Sequence, residues 1–281
     1  MSWILNALAS SVGRKLVMAL TGLFLAVFLV IHLAGNFLLY AGAGPYDAYA
    51  HTLHSQKAFL IFSEVLLYGA FAAHIYLAFR LTKDNWGARK KLYRENRDKR
   101  DDRIGAGWIA PEKWMLFSGL IVLGFTVLHV ADFKFEIGWG GELAELSPYG
   151  QAQVILSNWL RAAIYTAGCI ILGVHVGHGF QSAWQSLGVN HPRITGLLRW
   201  ASVIFGLVVA VGFSSFPVLR VLGVWGEGEI VRESVEAEEA DLDGTYNDES
   251  DETTLESIED AVGEVTPQPL TSGELAKRLR C

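Results

Sequence analysis

The chain has 281 residues, 51% of them hydrophobic, with a mean hydropathy of +0.29 and a net charge of −6. That is too apolar for an ordinary soluble domain carrying so polar a tail. Residues 1–224 hold 19 Lys and Arg against 12 Asp and Glu, and residues 225–281 hold 4 against 17, so a basic membrane body precedes an acidic tail.

Residues 1–13 are weakly amphipathic through Trp3, Ile4, Leu5 and Leu8, and read as a short surface helix or a frayed end. Arg14 and Lys15 precede an apolar run too long for the core of a cleaved signal peptide. The predicted spans are 16–40, 58–81, 114–131, 159–180 and 196–218, each near the ~20 residues that cross a bilayer as helix. An all-α, five-helix membrane bundle over residues 1–224 is therefore expected. No repeat at a fixed period is evident. Residues 41–57 and 136–158 read as loops, and 225–281 as an acidic, disordered tail.

The 82–113 loop carries ten Lys and Arg, while the 41–57 and 132–158 loops carry one each. By the positive-inside rule the N-terminus and the 82–113 loop face the cytoplasm of a bacterial inner membrane, and five spans put the tail outside. The two cysteines, Cys169 and Cys281, form no framework, and no C-x-x-C-H motif is present for covalent haem attachment. Nucleic acid is not an expected partner.

His32, His74, His129 and His175 each sit deep in a different span, at offsets of 15 or 16 residues from its start. Each imidazole then lies about 24 Å along its helix. Because the chain reverses from span to span, His32 and His129 fall near the outer face and His74 and His175 near the inner one. A polar ring at such depth is expensive without a partner. Each can satisfy that need with a hydrogen bond to a neighbouring helix. Four at matched offset answer better to haem b, whose iron takes one imidazole from each side and whose apolar ring fits inside a bundle. Two haems at two depths would carry electrons across the membrane. His178, one turn from His175, is the competing fourth ligand, or a polar group at the inner interface.

The residues around these histidines are TGLFLAVFLVIHLAGN ending at Asn36, HIYLAFRLTKDNWGAR from His74, HVADF from His129 and HVGHGFQSAWQSLGVNH from His175. Together they make the chain resemble, over roughly residues 10–222, the five-helix, two-haem cytochrome b membrane anchor of succinate dehydrogenase and fumarate reductase. The resemblance implies that His32 and His129 hold the distal haem and His74 and His175 the proximal one. It also favours His175 over His178, since Gly179 and Phe180 follow at the expected distance. The acidic tail is outside the family pattern.

An iron–sulfur subunit would bind directly, and through it a flavoprotein that oxidises succinate. Electrons would pass by way of the haems to quinone. The chain itself shows no flavin or dicarboxylate site. A quinol:fumarate reductase is the same assembly working in reverse, and a haem-free transporter or scaffold is the alternative of another class. Quinone chemistry needs a titratable group near the lipid edge. Glu64, the sole acid inside a predicted span, is the candidate; the alternative is a carboxyl simply paired with Arg161 at the start of the fourth span. His51, His54 and Tyr46 are weaker outer candidates. Arg14, Lys15 and Arg80 at the inner level and Arg161 at the outer are candidates to meet haem propionates, or simply flanking anchors.

Overall fold

The computed structural model describes residues 6–7, 10–88, 111–189 and 191–226. The basic run from Arg89 to Arg103, most of the N-terminal amphipathic stretch, and the acidic segment from Glu227 onward lie outside the described residues. Every regular element among the described residues is helical. In chain order they are α1 (Ser11–Asn36), a 3-10 turn (Phe37–Ala41), α2 (Ala43–Ser55), α3 (Lys57–Ala88), α4 (Pro111–Phe133), α5 (Pro148–Ser157), α6 (Trp159–Ser186) and α7 (Pro192–Val221).

Five of these are long and apolar enough to cross a membrane: α1 with its 3-10 turn, α3, α4, α6 and α7. This is the pattern of a multi-pass membrane protein. A helix satisfies its own backbone polar groups, which hydrocarbon cannot do for it. Their outward faces carry Val27, Ile31, Phe62, Val65, Val203, Leu207 and Val211, all exposed, where a water-soluble bundle would place charges.

The helices begin where side chains supply the missing acceptors for their first N–H groups. Ser10 accepts from Gly13 N at 3.0 Å ahead of α1. Asn158 accepts from Leu160 and Arg161 N ahead of α6. Before α5 and α7, Ser147 and His191 play this part, each followed by a proline at the first helical position. Gly42, at φ 97°, turns the chain out of the 3-10 segment.

Four of the long helices form a ring in the order α1, α3, α4, α6. Neighbours α1 and α3, α4 and α6, and α6 and α1 pack along one another, while α3 and α4 barely touch. So α1 faces α4 across the ring and α3 faces α6. Helix α7 lies outside the ring against α6, where Gly173 and Gly177 meet Gly206 and Ala210. A Cβ on Gly206 would come within 2.7 Å of the Gly173 carbonyl, so only small residues allow this approach.

The two segments expected as loops are not plain loops. Residues 41–57 contain α2, and residues 136–158 contain α5. Helix α5 is the most deeply buried piece of the described chain: Ala152, Gln153, Ile155 and Leu156 are all buried. With Leu33, Leu39, Leu143, Tyr149, Tyr165, Phe216 and Trp225 it forms a core at the outer end of the ring. The spans also extend beyond their expected ends, most of all α3, by seven residues to Ala88. Pro217, near the C-terminal end of α7, does not stop that helix.

Candidate functional site

A cavity of about 1890 Å³ runs inside the ring and is lined by His32, His74, His129 and His175. A single ligand site usually occupies roughly 300–1,000 Å³, so this volume suits two large groups. Among the described residues no three His, Cys, Asp or Glu side chains converge as a metal site. His32 and His129 meet, and His74 and His175 likewise stand on helices facing one another across the ring.

His32 of α1 and His129 of α4 form the outer pair, with ring centroids 5.8 Å apart and planes at 76°. Two imidazoles bound through Nε2 on either side of one metal stand about 6.3 Å apart, for metal–nitrogen bonds of about 2.0 Å. The observed spacing is close to this. Aromatic rings hold the pair in place. Phe28 stacks on His32 at 5.3 Å, and Phe125, Phe133 and Tyr165 surround His129 at 6.2, 5.1 and 5.9 Å. Asn36, one turn beyond His32, donates to its carbonyl at 2.7 Å.

His74 of α3 and His175 of α6 form the inner pair. They line the same cavity, on helices that face one another across the ring. Here hydroxyls replace aromatic rings. Thr21 Oγ1 of α1 lies 3.3 Å from His74 Nδ1, and Ser118 Oγ of α4 lies 3.0 Å from His175 Nδ1. Gly22 and Gly119, the next residues, face the two rings: a Cβ on either would sit 3.3 Å from the imidazole Cε1. Of the two candidates on α6, His175 lines the cavity and His178 is not among its lining residues.

Glu64 lies at the outer end of α3, where its carboxylate pairs with Lys134, just past α4. The expected alternative, a carboxyl paired with Arg161, is not what forms. Arg161 instead meets Asp132 at 3.3 Å. Lys134 lies closer to the α3 side of the ring, and its ammonium also covers the Tyr68 ring at 5.5 Å. Nor is Glu64 a buried acid, for its side chain is 39% exposed. The hydrogen bond to Glu64 raises the Lys134 pKa above the ordinary lysine value, so the ammonium stays charged throughout the neutral range. Lys134 and Tyr68 line the cavity, whereas Glu64 does not.

Of the proposed propionate partners, Lys15 lines the inner end of the cavity beside Thr82, Asn85, Ser182 and Ser186. Arg14 pairs with Asp84 at 3.0 Å, and Arg14, Arg80 and Arg161 are not among the lining residues. His51 and His54 lie exposed on α2, with His54 Nδ1 bonded to Ala50 O at 2.7 Å. Tyr46 packs edge-on to Tyr149. Burial, with Asp47 and Tyr49 beside it, raises its pKa, so it remains a neutral phenol.

Among the described residues the buried acid is Asp132, at 0% exposure. It lies one residue past the predicted span 114–131. Asp132 accepts from Tyr165 OH at 3.0 Å and from Trp139 Nε1 at 3.2 Å, in addition to its Arg161 contact. Three residues after His129 along α4, it ties α4 to α6 and to the loop beyond α4 at the outer level.

Thr21 and Ser118 were also missed, though a signal for them exists. TGLFLAVFLVIH (residues 21–32) and SGLIVLGFTVLH (residues 118–129) share a hydroxyl, Gly, Leu, a Phe four residues before the end and a closing His. Helices α1 and α4 are thus two versions of one element, set too far apart and too few in number to show as a periodic repeat. Eleven residues are about three helical turns, which place hydroxyl and histidine on one face about 16 Å apart. That distance separates the inner from the outer level. No protein-family model, curated protein or solved structure matches the chain.

Proposed function

We propose that this chain is the cytochrome b membrane-anchor subunit of a succinate:quinone oxidoreductase, of the five-helix, two-haem type. One observation carries the reading: two histidine pairs, each drawn from opposite helices of a four-helix ring, share one large apolar cavity at two levels. Bis-imidazole haem requires ligands on opposite sides of a flat macrocycle, and facing helices supply them where adjacent ones do not. The sequence motifs around the same four residues point the same way.

Bound there, b-type haem supplies a one-electron carrier at each level. The chain's own residues do the rest. His32 and His129 hold the outer group, and His74 and His175 the inner. Phe28, Phe125 and Phe133 keep water from the outer level, and Lys15 balances carboxylates at the inner mouth. Quinone reduction also consumes protons, which need a titratable group at the lipid edge. Glu64 and its partner Lys134, with Tyr68 alongside, meet that need at the outer end, where α3 and α4 barely touch.

In this reading the chain spans a bacterial inner membrane with its N-terminus in the cytoplasm. The basic segment after α3 faces an iron–sulfur subunit, which receives electrons from a flavoprotein that oxidises succinate. This chain takes no part in succinate binding. Purification with haem quantification tests the proposal. Two b-type haems per chain are expected, and a reduced protein with no b-type absorption would leave a transporter or scaffold as the better reading.

A further inference from the structure

Thr21 and Ser118 have no part in the assignment of the four ligands, yet each hydroxyl lies against the Nδ1 of an inner histidine. A hydroxyl has one proton to give. Thr21 donates to its own helix, with Val17 O at 2.9 Å and Met18 O at 3.1 Å. Ser118 does the same toward Met115 O at 3.2 Å. Where the backbone carbonyls take these protons, each oxygen meets His74 or His175 as an acceptor. The proton between them then belongs to the ring, on Nδ1. A neutral imidazole protonated at Nδ1 has its lone pair on Nε2.

We propose that Thr21 and Ser118 are positioning residues for the inner histidine pair: each hydroxyl takes the Nδ1 hydrogen bond of the histidine on the next helix and presents Nε2 as a bare lone pair, ready to ligate. The adjoining glycines complete the device. Gly22 and Gly119 leave the space in which each ring lies against the helix that orients it. One small unit, hydroxyl then glycine then histidine three turns on, thus serves both levels. It orients a ligand on another helix at the inner level and contributes its own at the outer. The tautomer rests on the carbonyls taking the hydroxyl protons; only the metal that Nε2 meets rests on the haem reading.

An acceptor at Nδ1 makes an imidazole more basic, and losing such a partner typically costs 10–100-fold in metal affinity. A more basic ligand favours ferric over ferrous iron, so its loss must raise the reduction potential. The test is a potentiometric titration of the full-length protein, purified with its membrane partners, as wild type and as Thr21→Val and Ser118→Ala. The inner transition is the one absent from His74→Ala. It should rise by the equivalent of a tenfold change, about 59 mV for one electron, while the outer transition stays in place. Thr21→Ser and Ser118→Thr, which keep the acceptor, should restore the wild-type value. Both transitions unmoved, or both moved equally, would overturn the proposal. So would loss of the inner haem in Thr21→Val that Thr21→Ser does not reverse. If the wild type carries no haem, the functional reading fails, and nitrogen NMR of the labelled histidines still decides the tautomer: Nδ1 protonated on His74 and His175 supports the proposal, Nε2 protonated contradicts it.

Discussion

At the scale of single residues, the two levels of the ring are built by different means, and that separates their responses to mutation. The outer histidines stand among aromatic rings, the inner ones beside a hydroxyl and a glycine. Alanine at His32 or His129 should remove the outer haem and leave the inner, and alanine at His74 or His175 the reverse, as counted by haem content and redox titration. His178→Ala should keep both; loss of a haem there with both retained in His175→Ala would reassign the fourth ligand. Gly22→Ala places a methyl 3.3 Å from His74 Cε1, tight enough to push the ring by a few tenths of an ångström. The inner haem's spectrum should shift while the outer's does not, and Gly22→Val should lose the inner haem. Asp132→Ala leaves Arg161 without its partner and strips acceptors from Tyr165 and Trp139. Breaking such a buried pair costs about 3–5 kcal/mol. With Arg161 26% exposed, the low end is expected, read as a lowered melting temperature in detergent.

At the scale of helices, the close packing of α6 on α7 fixes the height and rotation of His175, which lies between Gly173 and Gly177. Gly206→Leu should force the two helices apart, lose the inner haem and leave α1 and α4 with the outer one. Retention of both haems at wild-type content would show that α7 does not position α6. The long helices were legible in the sequence because a span is a run of about twenty apolar residues, a signal that needs no partner to recognise. The histidines were legible for the related reason that a lone polar group stands out in such a run. The short helices were not. Helix α5 has ten residues and no clear apolar stripe, and its one cue was Ser147 with Pro148 at the first helical position. Asp132 was obscured because an acid at the end of a span reads as a head-group anchor; its burial depends on Tyr165 and Arg161, about thirty residues further along. Arg161, the alternative partner read for Glu64, gives way to Lys134: both lie at the outer level, and only the ring order puts Lys134 beside α3.

For the molecule as a whole, the proposed function makes the four-helix ring, with its large cavity, aromatic and α5-capped outer end and polar inner mouth, a one-electron conduit with its exit at the outer lipid edge. If the outer end handles quinone, Glu64→Gln should slow quinone reduction by succinate about 100-fold, the lower range for loss of a general acid or base, with both haems still present. An unchanged rate would remove Glu64 from the proton path. The proposed function depends on two metal groups held by two histidine pairs. The most direct test is a redox titration of the purified full-length protein with haem counted per chain. Two b-type haems titrating separately, each lost with its own histidine pair, is the predicted result; a protein with no haem, or with one that survives the loss of any single histidine among His32, His74, His129 and His175, would contradict it.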